Sequence, residues 1–170
     1  AGDTAQRITE NDFSDWDEVL SWLGQKPVQV TPLQISYRCT RQIMELANAL
    51  LGEELPTDPG QAARTGAAVE LLRCSDRGAA MTFLGDALAD MVRREPKASV
   101  AVLTRTTEQA DQAYQALRRA DIPPLRRVLD QDFSFGPAVE VTDIAQTKGL
   151  EFDYVVLLDL DRATFPDTSS

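Results

Sequence analysis

The feature that most constrains this fold is the alternation of short apolar segments with amphipathic segments along the chain. Short apolar runs are typical of buried strands, whereas apolar residues three and four positions apart are typical of helices. The sequence predicts strands at 69–74, 99–103 and 154–158, and helices at 79–94 and 107–120. Strands that alternate with helices of this length indicate an α/β layered fold around a mainly parallel sheet. The continuous apolar run at 154–158 is expected to be a central strand, covered on both faces.

The rest of the chain fits the same alternation. Further helices are predicted at 13–23 and 43–50, and further strands at 28–35, 125–129 and 139–142. Tyr37 and Arg38 are expected at the exit of the strand at 28–35. Residues 52–66 are rich in Pro, Gly and Ala and show no clear periodicity, so we predict a surface loop there.

The composition excludes several classes of function. The chain has no His, which rules out Ser/His and Cys/His catalytic pairs and removes the commonest general base at neutral pH. Its two cysteines, Cys39 and Cys74, lie far apart with no His or further Cys beside them, so neither a disulfide framework nor a zinc site is expected. No apolar run approaches the length of a membrane span, and we therefore expect a cytoplasmic protein with no membrane partner.

The charge of the chain argues against binding of DNA by bulk electrostatics. The formal net charge is −10, whereas phosphate binding depends on clustered Lys and Arg. The basic side chains that do gather are Arg93, Arg94, Arg118, Arg119, Arg126 and Arg127. We interpret the pairs Arg118-Arg119 and Arg126-Arg127 as solvated surface faces.

Four short segments occur in an order that suggests a family. They are Gly2-Asp3-Thr4-Ala5-Gln6, Leu33-Gln34-Ile35-Ser36-Tyr37-Arg38, Val100-Ala101-Val102-Leu103-Thr104-Arg105, and Gln146-Thr147-Lys148-Gly149-Leu150-Glu151-Phe152-Asp153 with Phe165-Pro166 downstream. In this order they resemble motifs of the UvrD/Rep-like superfamily 1 DNA helicases. The last segment is the most specific, because it matches the family's KGLEFD block and its trailing FP. The resemblance spans nearly the whole chain and implies a RecA-like three-layer sandwich of the P-loop NTPase type.

The resemblance also implies which residues contact ATP. Gln6 would sense the terminal phosphate, Tyr37 would stack on adenine, and Arg38 would reach the γ-phosphate. A fixed guanidinium at that position stabilises charge that grows in the transition state of phosphoryl transfer. Without the resemblance, Tyr37 would be interpreted as a half-buried packing residue.

Two other segments are assigned by the same resemblance. Lys148, Gly149 and Glu151 would be further nucleotide contacts, since a Lys and a Gly backbone can approach anionic oxygens and a Glu can accept from a ribose hydroxyl. Thr104 and Arg105 would contact single-stranded DNA at the exit of their strand. The alternative for Lys148 and Gly149 is a simple turn between strands, with Gly149 at positive φ.

The resemblance divides the chain into two parts. Residues 1–26 would be the tail of a first RecA-like domain with its connector, and residues 27–170 a second RecA-like domain that stops before the final helicase motif. The sequence contains no GxxxxGK[ST] loop and no acidic pair for Mg²⁺. We therefore expect the full-length parent to use ATP and Mg²⁺ as an ATP hydrolase, and this chain alone to be inactive.

Two departures from the family pattern leave alternatives open. Ala145 stands where the family usually has His, and the chain between Arg38 and Lys148 is too short for the large mobile subdomain of UvrD itself. A compact relative is implied, which is either an ATP-dependent DNA helicase or translocase acting on single-stranded DNA, or a HelD-like ATPase that remodels RNA polymerase. The third hypothesis is a non-catalytic α/β interaction module that retains the motifs.

Overall fold

The computed structural model describes residues 16–24, 35–51 and 61–160. The chain divides into two compact units, Ala1–Leu72 and Arg73–Ser170, which are described separately below. No helix among the described residues has the length and apolar character required to cross a bilayer.

Within its described residues, the first unit contains two helices and two strands. They are α1 (Trp16–Trp22), β1 (Ile35–Thr40), α2 (Arg41–Leu51) and β2 (Gln61–Arg64). β1 and β2 are parallel, with Ile35 opposite Gln61, so the segment from β1 to β2 is a βαβ unit. The helices predicted at 13–23 and 43–50 are confirmed within the described residues.

Two predictions for the first unit are wrong. Tyr37 and Arg38 lie inside β1, not at the exit of a strand that ends at 35; residues 28–34 of that predicted strand lie outside the described residues. The predicted loop at 52–66 contains strand β2 at its end. The sequence of β2 has no strand-favouring residues. The strand forms because its backbone pairs with β1, which the sequence pattern cannot predict.

The described part of the second unit is built around a four-stranded sheet. Its elements are α3 (Arg77–Arg94), β3 (Ser99–Thr104), α4 (Thr107–Leu117), β4 (Leu125–Arg127), β5 (Ala138–Asp143), a short 3-10 helix (Ile144–Thr147) and β6 (Tyr154–Leu157). The strand order is β4-β5-β3-β6, and every neighbouring pair is parallel. The predicted α/β class with a mainly parallel sheet is confirmed, and this arrangement agrees with a RecA-like sandwich.

Two strand predictions need correction. Residues 69–74 form no strand, and Val69, Leu71 and Leu72 expose much of their side chains. The run at 154–158 forms β6 at the edge of the described sheet, next to β3, where Val155 is half exposed. Both runs have the apolar character of buried strands. In the described residues, however, β6 has a neighbouring strand on one side only, and residues 69–74 have none.

The core of the second unit lies between the sheet and the helices α3 and α4. It includes Val100 and Val102 from β3, Val139 and Val141 from β5, Leu88 from α3, and Ala110, Ala113 and Leu117 from α4. Side chains alternate along a strand, so Ala101 and Leu103 face the opposite side of the sheet. That side, called the second face below, also carries Glu140, which pairs with Ala101 in register.

Candidate functional site

The carboxyl ends of the central strands define one edge of the second unit. Thr104, the last residue of β3, lies opposite Asp143, the last residue of β5, and Leu103 lies opposite Leu157 of β6. In parallel α/β sheets, ligands bind outside the carboxyl ends of the strands. This edge, called the carboxyl edge below, is therefore where a candidate site is sought.

A buried carboxylate organises the carboxyl edge. Asp143 is almost fully buried, and its Oδ2 accepts hydrogen bonds from the hydroxyl of Thr107 at 2.9 Å and from Nε2 of Gln146 at 2.8 Å. Asp143 thus ties the 3-10 helix after β5 to the first residue of α4. Sequence reasoning missed Asp143 and Thr107, although an Asp directly after an apolar strand would have been a usable signal.

The segment with Lys148 and Gly149 begins immediately after this cluster. Lys148 is exposed, and Gly149 has φ of +83° with open space where a Cβ would stand. The N–H of Leu150 donates to the carbonyl of Thr147 at 3.0 Å and closes a tight turn. The turn and the positive φ of Gly149 are therefore present, and they leave Lys148 and the backbone of Gly149 accessible at the carboxyl edge. Glu151 follows with an exposed side chain.

Thr104 and Arg105 reach the same edge from β3. Thr104 is fully buried, and its hydroxyl donates to the carbonyl of Thr106 at 2.9 Å. Arg105 is half-buried. A ligand contact from this strand end would therefore come from Arg105 or from the backbone, because the hydroxyl of Thr104 points into the fold.

The first helix turn beyond β3 is fixed by a reciprocal cap. The hydroxyl of Thr106 accepts from the N–H of Gln109 at 3.3 Å, and Oε1 of Gln109 accepts from the N–H of Thr106 at 3.1 Å. This capping box starts α4 at a defined position. Because Thr107 then reaches Asp143, the cap also fixes the geometry of the buried carboxylate.

The predicted ATP contacts Tyr37 and Arg38 belong to the first unit, whereas Lys148, Gly149 and Glu151 belong to the second. Tyr37 is 75% exposed, so the alternative of a half-buried packing residue is wrong. Arg38 is also exposed, and its carbonyl accepts from Nη2 of Arg64 at 2.6 Å, which joins β1 to the neighbouring strand β2. Gln6 lies outside the described residues.

The arginines expected to form solvated faces behave differently. Arg118 and Arg119 are exposed, as predicted. Arg127 is wrongly predicted: its side chain is only 9% exposed and its Nε lies 2.7 Å from Asp111 Oδ1. Arg126 is also wrongly predicted, because Nη1 lies 3.0 Å from the buried carboxylate of Glu140.

The other basic pair of the sequence is likewise engaged with acidic groups. Nη2 of Arg94 lies 2.7 Å from Asp90, and Nη2 of Arg93 lies 3.4 Å from the same carboxylate. With the pairs of Arg126 and Arg127, four of the six gathered arginines lie within ion-pair distance of a carboxylate. The clustering in the sequence therefore does not become a positively charged face of the same size.

Two groups with shifted pKa values, Asp153 and Tyr154, lie at the start of β6, on the opposite, amino edge of the sheet. The backbone N–H of Ser99 and then its hydroxyl donate to Asp153 and lower the pKa of that carboxyl. Tyr154 donates its hydroxyl to Oε1 of Glu95 at 2.8 Å, and this hydrogen bond raises the pKa of the phenol. A shallow surface depression runs past these groups, from Glu95 to Ala98. The contacts join the starts of β3 and β6 and have a structural role.

Among the residues that the structure describes, no three His, Cys, Asp or Glu side chains converge in a way that could hold a metal ion. No protein-family model matches this chain, and no curated protein has significant sequence similarity to it.

Proposed function

We propose that this chain is the second RecA-like domain of an ATP-dependent helicase or translocase that acts on single-stranded DNA. The observation that carries the proposal is the position of the segment most similar to the family, Lys148 to Asp153. Its turn follows β5 at the carboxyl edge, with Lys148 exposed and the backbone of Gly149 open. A cation and an open backbone at this edge are suited to anionic oxygens of a nucleotide.

The proposal assigns a separate task to each predicted residue. Tyr37 provides a flat, exposed ring for adenine, and Arg38 provides positive charge for the γ-phosphate. Gln6 has both a donor and an acceptor, so it can bind the attacking water together with a phosphate oxygen. Lys148, the backbone of Gly149 and Glu151 are assigned as further nucleotide contacts.

The motor function follows from sharing one ATP between two domains. Contacts that exist only while the γ-phosphate is present would favour a closed arrangement, and hydrolysis would release it. In this scheme, the strand end at Thr104 and Arg105 lies on the DNA track. The phosphate loop and the Mg²⁺ ligands are supplied by the first RecA-like domain of the same protein, which we propose acts in the cytoplasm.

The assignment of Arg38 is tested by Arg38→Ala in the full-length protein. We expect the rate of ATP hydrolysis to fall by about 10³-fold or more, because the loss of such a guanidinium typically costs about 10³ to 10⁵ in rate. Arg41→Ala is the matched control, since Arg41 is an exposed neighbour whose ion pair with Glu45 lies on the surface of α2. Wild-type turnover in Arg38→Ala, or an equal loss in Arg41→Ala, contradicts the assignment.

A second function is favoured by the charge of the chain. The net charge is −10, and Arg93, Arg94, Arg126 and Arg127 are paired with carboxylates. These features suit a HelD-like ATPase that remodels RNA polymerase, because such a protein need not cover DNA phosphates with this domain. ATP hydrolysis by the parent that is indifferent to single-stranded DNA would support this alternative.

A further inference from the structure

The connection between β4 and β5, residues 128–137, differs from an ordinary crossover. The two strands are neighbours and parallel, and parallel neighbours are usually joined through a helix of a dozen or more residues in total. Here the return is made by a loop without a helix. We call it the β4–β5 loop.

Hydrogen bonds and one buried ring hold the β4–β5 loop in place. Phe133 is buried, and the N–H of Ser134 donates to Oε1 of Glu140 at 2.8 Å. Nη2 of Arg126 donates to the carbonyl of Asp132 at 3.1 Å, and the N–H of Asp132 donates to the carbonyl of Leu129 at 3.0 Å. The loop is therefore ordered before any ligand arrives, which lowers the entropic cost of binding.

The β4–β5 loop presents an aromatic ring to solvent. Phe135 is 81% exposed and has φ of +51°, a conformation that is unfavourable for a bulky residue. Its ring centroid lies 6.5 Å from that of the buried Phe133. Exposure of a large apolar side chain and a strained backbone both oppose stability, so their combination at one residue points to a role in recognition.

The charge of the β4–β5 loop restricts the kind of ligand. Its charged residues are Asp130 and Asp132, and residues 128–137 contain no Lys or Arg. Both carboxylates are exposed. Asp132 Oδ2 lies 3.3 Å from Nη2 of Arg126, but that guanidinium also pairs with Glu140, so the loop and its contacts stay negative once Asp130 is counted. This charge would repel the phosphates of a nucleic acid strand and attract basic side chains. We propose that the β4–β5 loop is a docking site for a partner protein whose surface has an apolar pocket for Phe135 and basic residues around that pocket.

The β4–β5 loop is also connected to the segment from Lys148 to Glu151 on both sides. The N–H of Gln131 donates to Oε1 of Gln146 at 3.0 Å, and Phe133 packs against Phe152 with ring centroids 5.9 Å apart. A partner that shifts the loop therefore acts on both ends of the proposed nucleotide segment. This consequence for ATP hydrolysis rests on the proposed function, whereas docking itself does not.

The proposal is tested by placing the photo-crosslinking residue p-benzoylphenylalanine at position 135 of the full-length protein, in cells that produce it. The matched control carries the same residue at position 83, because Phe83 is also an exposed Phe of the second unit. We expect a protein that is crosslinked from position 135 and not from position 83. That protein is then purified, and its binding is measured by titration.

The titration compares wild-type full-length protein with three variants. Phe135→Ala should weaken Kd by about 30-fold, the effect typical of a residue that dominates an interface. Phe83→Ala should leave Kd unchanged. Asp130→Asn should slow association and reduce its dependence on salt; Asn tolerates the left-handed conformation that Asp130 has, with φ of +50°. Circular dichroism verifies that each variant is folded.

Three results would overturn the proposal. They are crosslinking of position 135 to nucleic acid, the absence of a protein crosslinked specifically at 135, and an unchanged Kd in a folded Phe135→Ala variant. The binding assay does not depend on ATP hydrolysis. If the parent proves inactive as an ATPase while Phe135→Ala still loses the partner, the docking site stands and the proposed function fails. If the parent hydrolyses ATP in a DNA-dependent way while Phe135→Ala keeps the wild-type Kd, the proposed function stands and the docking site fails.

Discussion

The ion pair between Arg126 and Glu140 provides the sharpest test of the fold. The side chain of Glu140 is only 4% exposed, and Arg126 Nη1 lies 3.0 Å away from its Oε1. Replacing Arg126 with Met keeps an apolar stem of similar length but removes the guanidinium. Glu140 would then be a buried carboxylate without a cationic partner, and it would keep the hydrogen bond from the N–H of Ser134. Breaking a buried pair in this way typically costs about 3 to 5 kcal/mol, and the partly exposed Arg126 places the expected loss near the lower end, at about 3 kcal/mol.

The same physics predicts an effect that depends on the background. In the wild-type chain, Glu140→Gln should destabilise by about 1 kcal/mol, since a neutral hydrogen bond replaces a charged one. In the Arg126→Met background, Glu140→Gln should instead stabilise, because it removes the buried unpaired charge. This opposite sign is the signature of coupling in a double-mutant cycle.

The assay must report on the second unit. Both tryptophans, Trp16 and Trp22, belong to the first unit, so fluorescence does not follow the sheet that contains Glu140. Urea denaturation followed by circular dichroism, with hydrogen exchange of peptides from β4 and β5, gives the free energy of unfolding. A loss of about 3 kcal/mol corresponds to a midpoint lower by roughly 2 M urea, for a typical dependence of about 1.5 kcal/mol/M. If Glu140→Gln destabilises both backgrounds equally, Arg126 and Glu140 are not coupled, and the buried ion pair between them is refuted.

Two further predictions concern the core and the pH dependence of stability. Leu117→Ala should lower the free energy of unfolding by about 3 kcal/mol, because Leu117 is fully buried in the core between α4 and the sheet; a loss below about 1 kcal/mol in urea denaturation would contradict that packing. Since hydrogen bonds from Ser99 lower the pKa of Asp153 below its usual 3.8, the stability it contributes should be fully present above about pH 3.8 and should disappear as the pH falls through the folded pKa. Between pH 2 and 6, the free energy of unfolding should therefore change less with pH in Asp153→Asn than in the wild-type chain. The same pH dependence in both would exclude this contribution.

The core of the second unit could be predicted from sequence because its signals are local. The helical spacing of Ala110, Ala113 and Leu117 specifies the buried face of α4, and the apolar run at 99–103 specifies β3. Both predictions agree with the structure within a few residues. These elements follow from periodicity alone, which requires no knowledge of how the strands are ordered.

Sheet order and strand partners could not be predicted in this way. The run at 154–158 resembles a central strand because its residues are apolar, yet β6 lies at the edge of the described sheet. Whether a strand lies at the centre or the edge depends on crossovers, and these are long-range features. Similarly, the apolar residues at 69–74 pair with no strand in the described part of the chain, whereas the weakly patterned residues of β2 pair with β1.

The candidate site shows the same division. Lys148 and Gly149 were predicted from a motif, and the structure adds that their turn is at the carboxyl edge. Asp143 was missed because its partners, Thr107 and Gln146, approach it only in the folded state. Arg127 appeared to be solvated because the sequence does not show that Asp111 would lie beside it.

The most direct test of the central proposal is ATP hydrolysis by the full-length parent, measured with and without single-stranded DNA, beside this chain alone. Our account predicts that single-stranded DNA strongly stimulates the parent and that the isolated chain is inactive. Hydrolysis that ignores DNA would contradict the helicase proposal and favour remodelling of RNA polymerase. A parent without any ATP hydrolysis would contradict both and favour a non-catalytic interaction module.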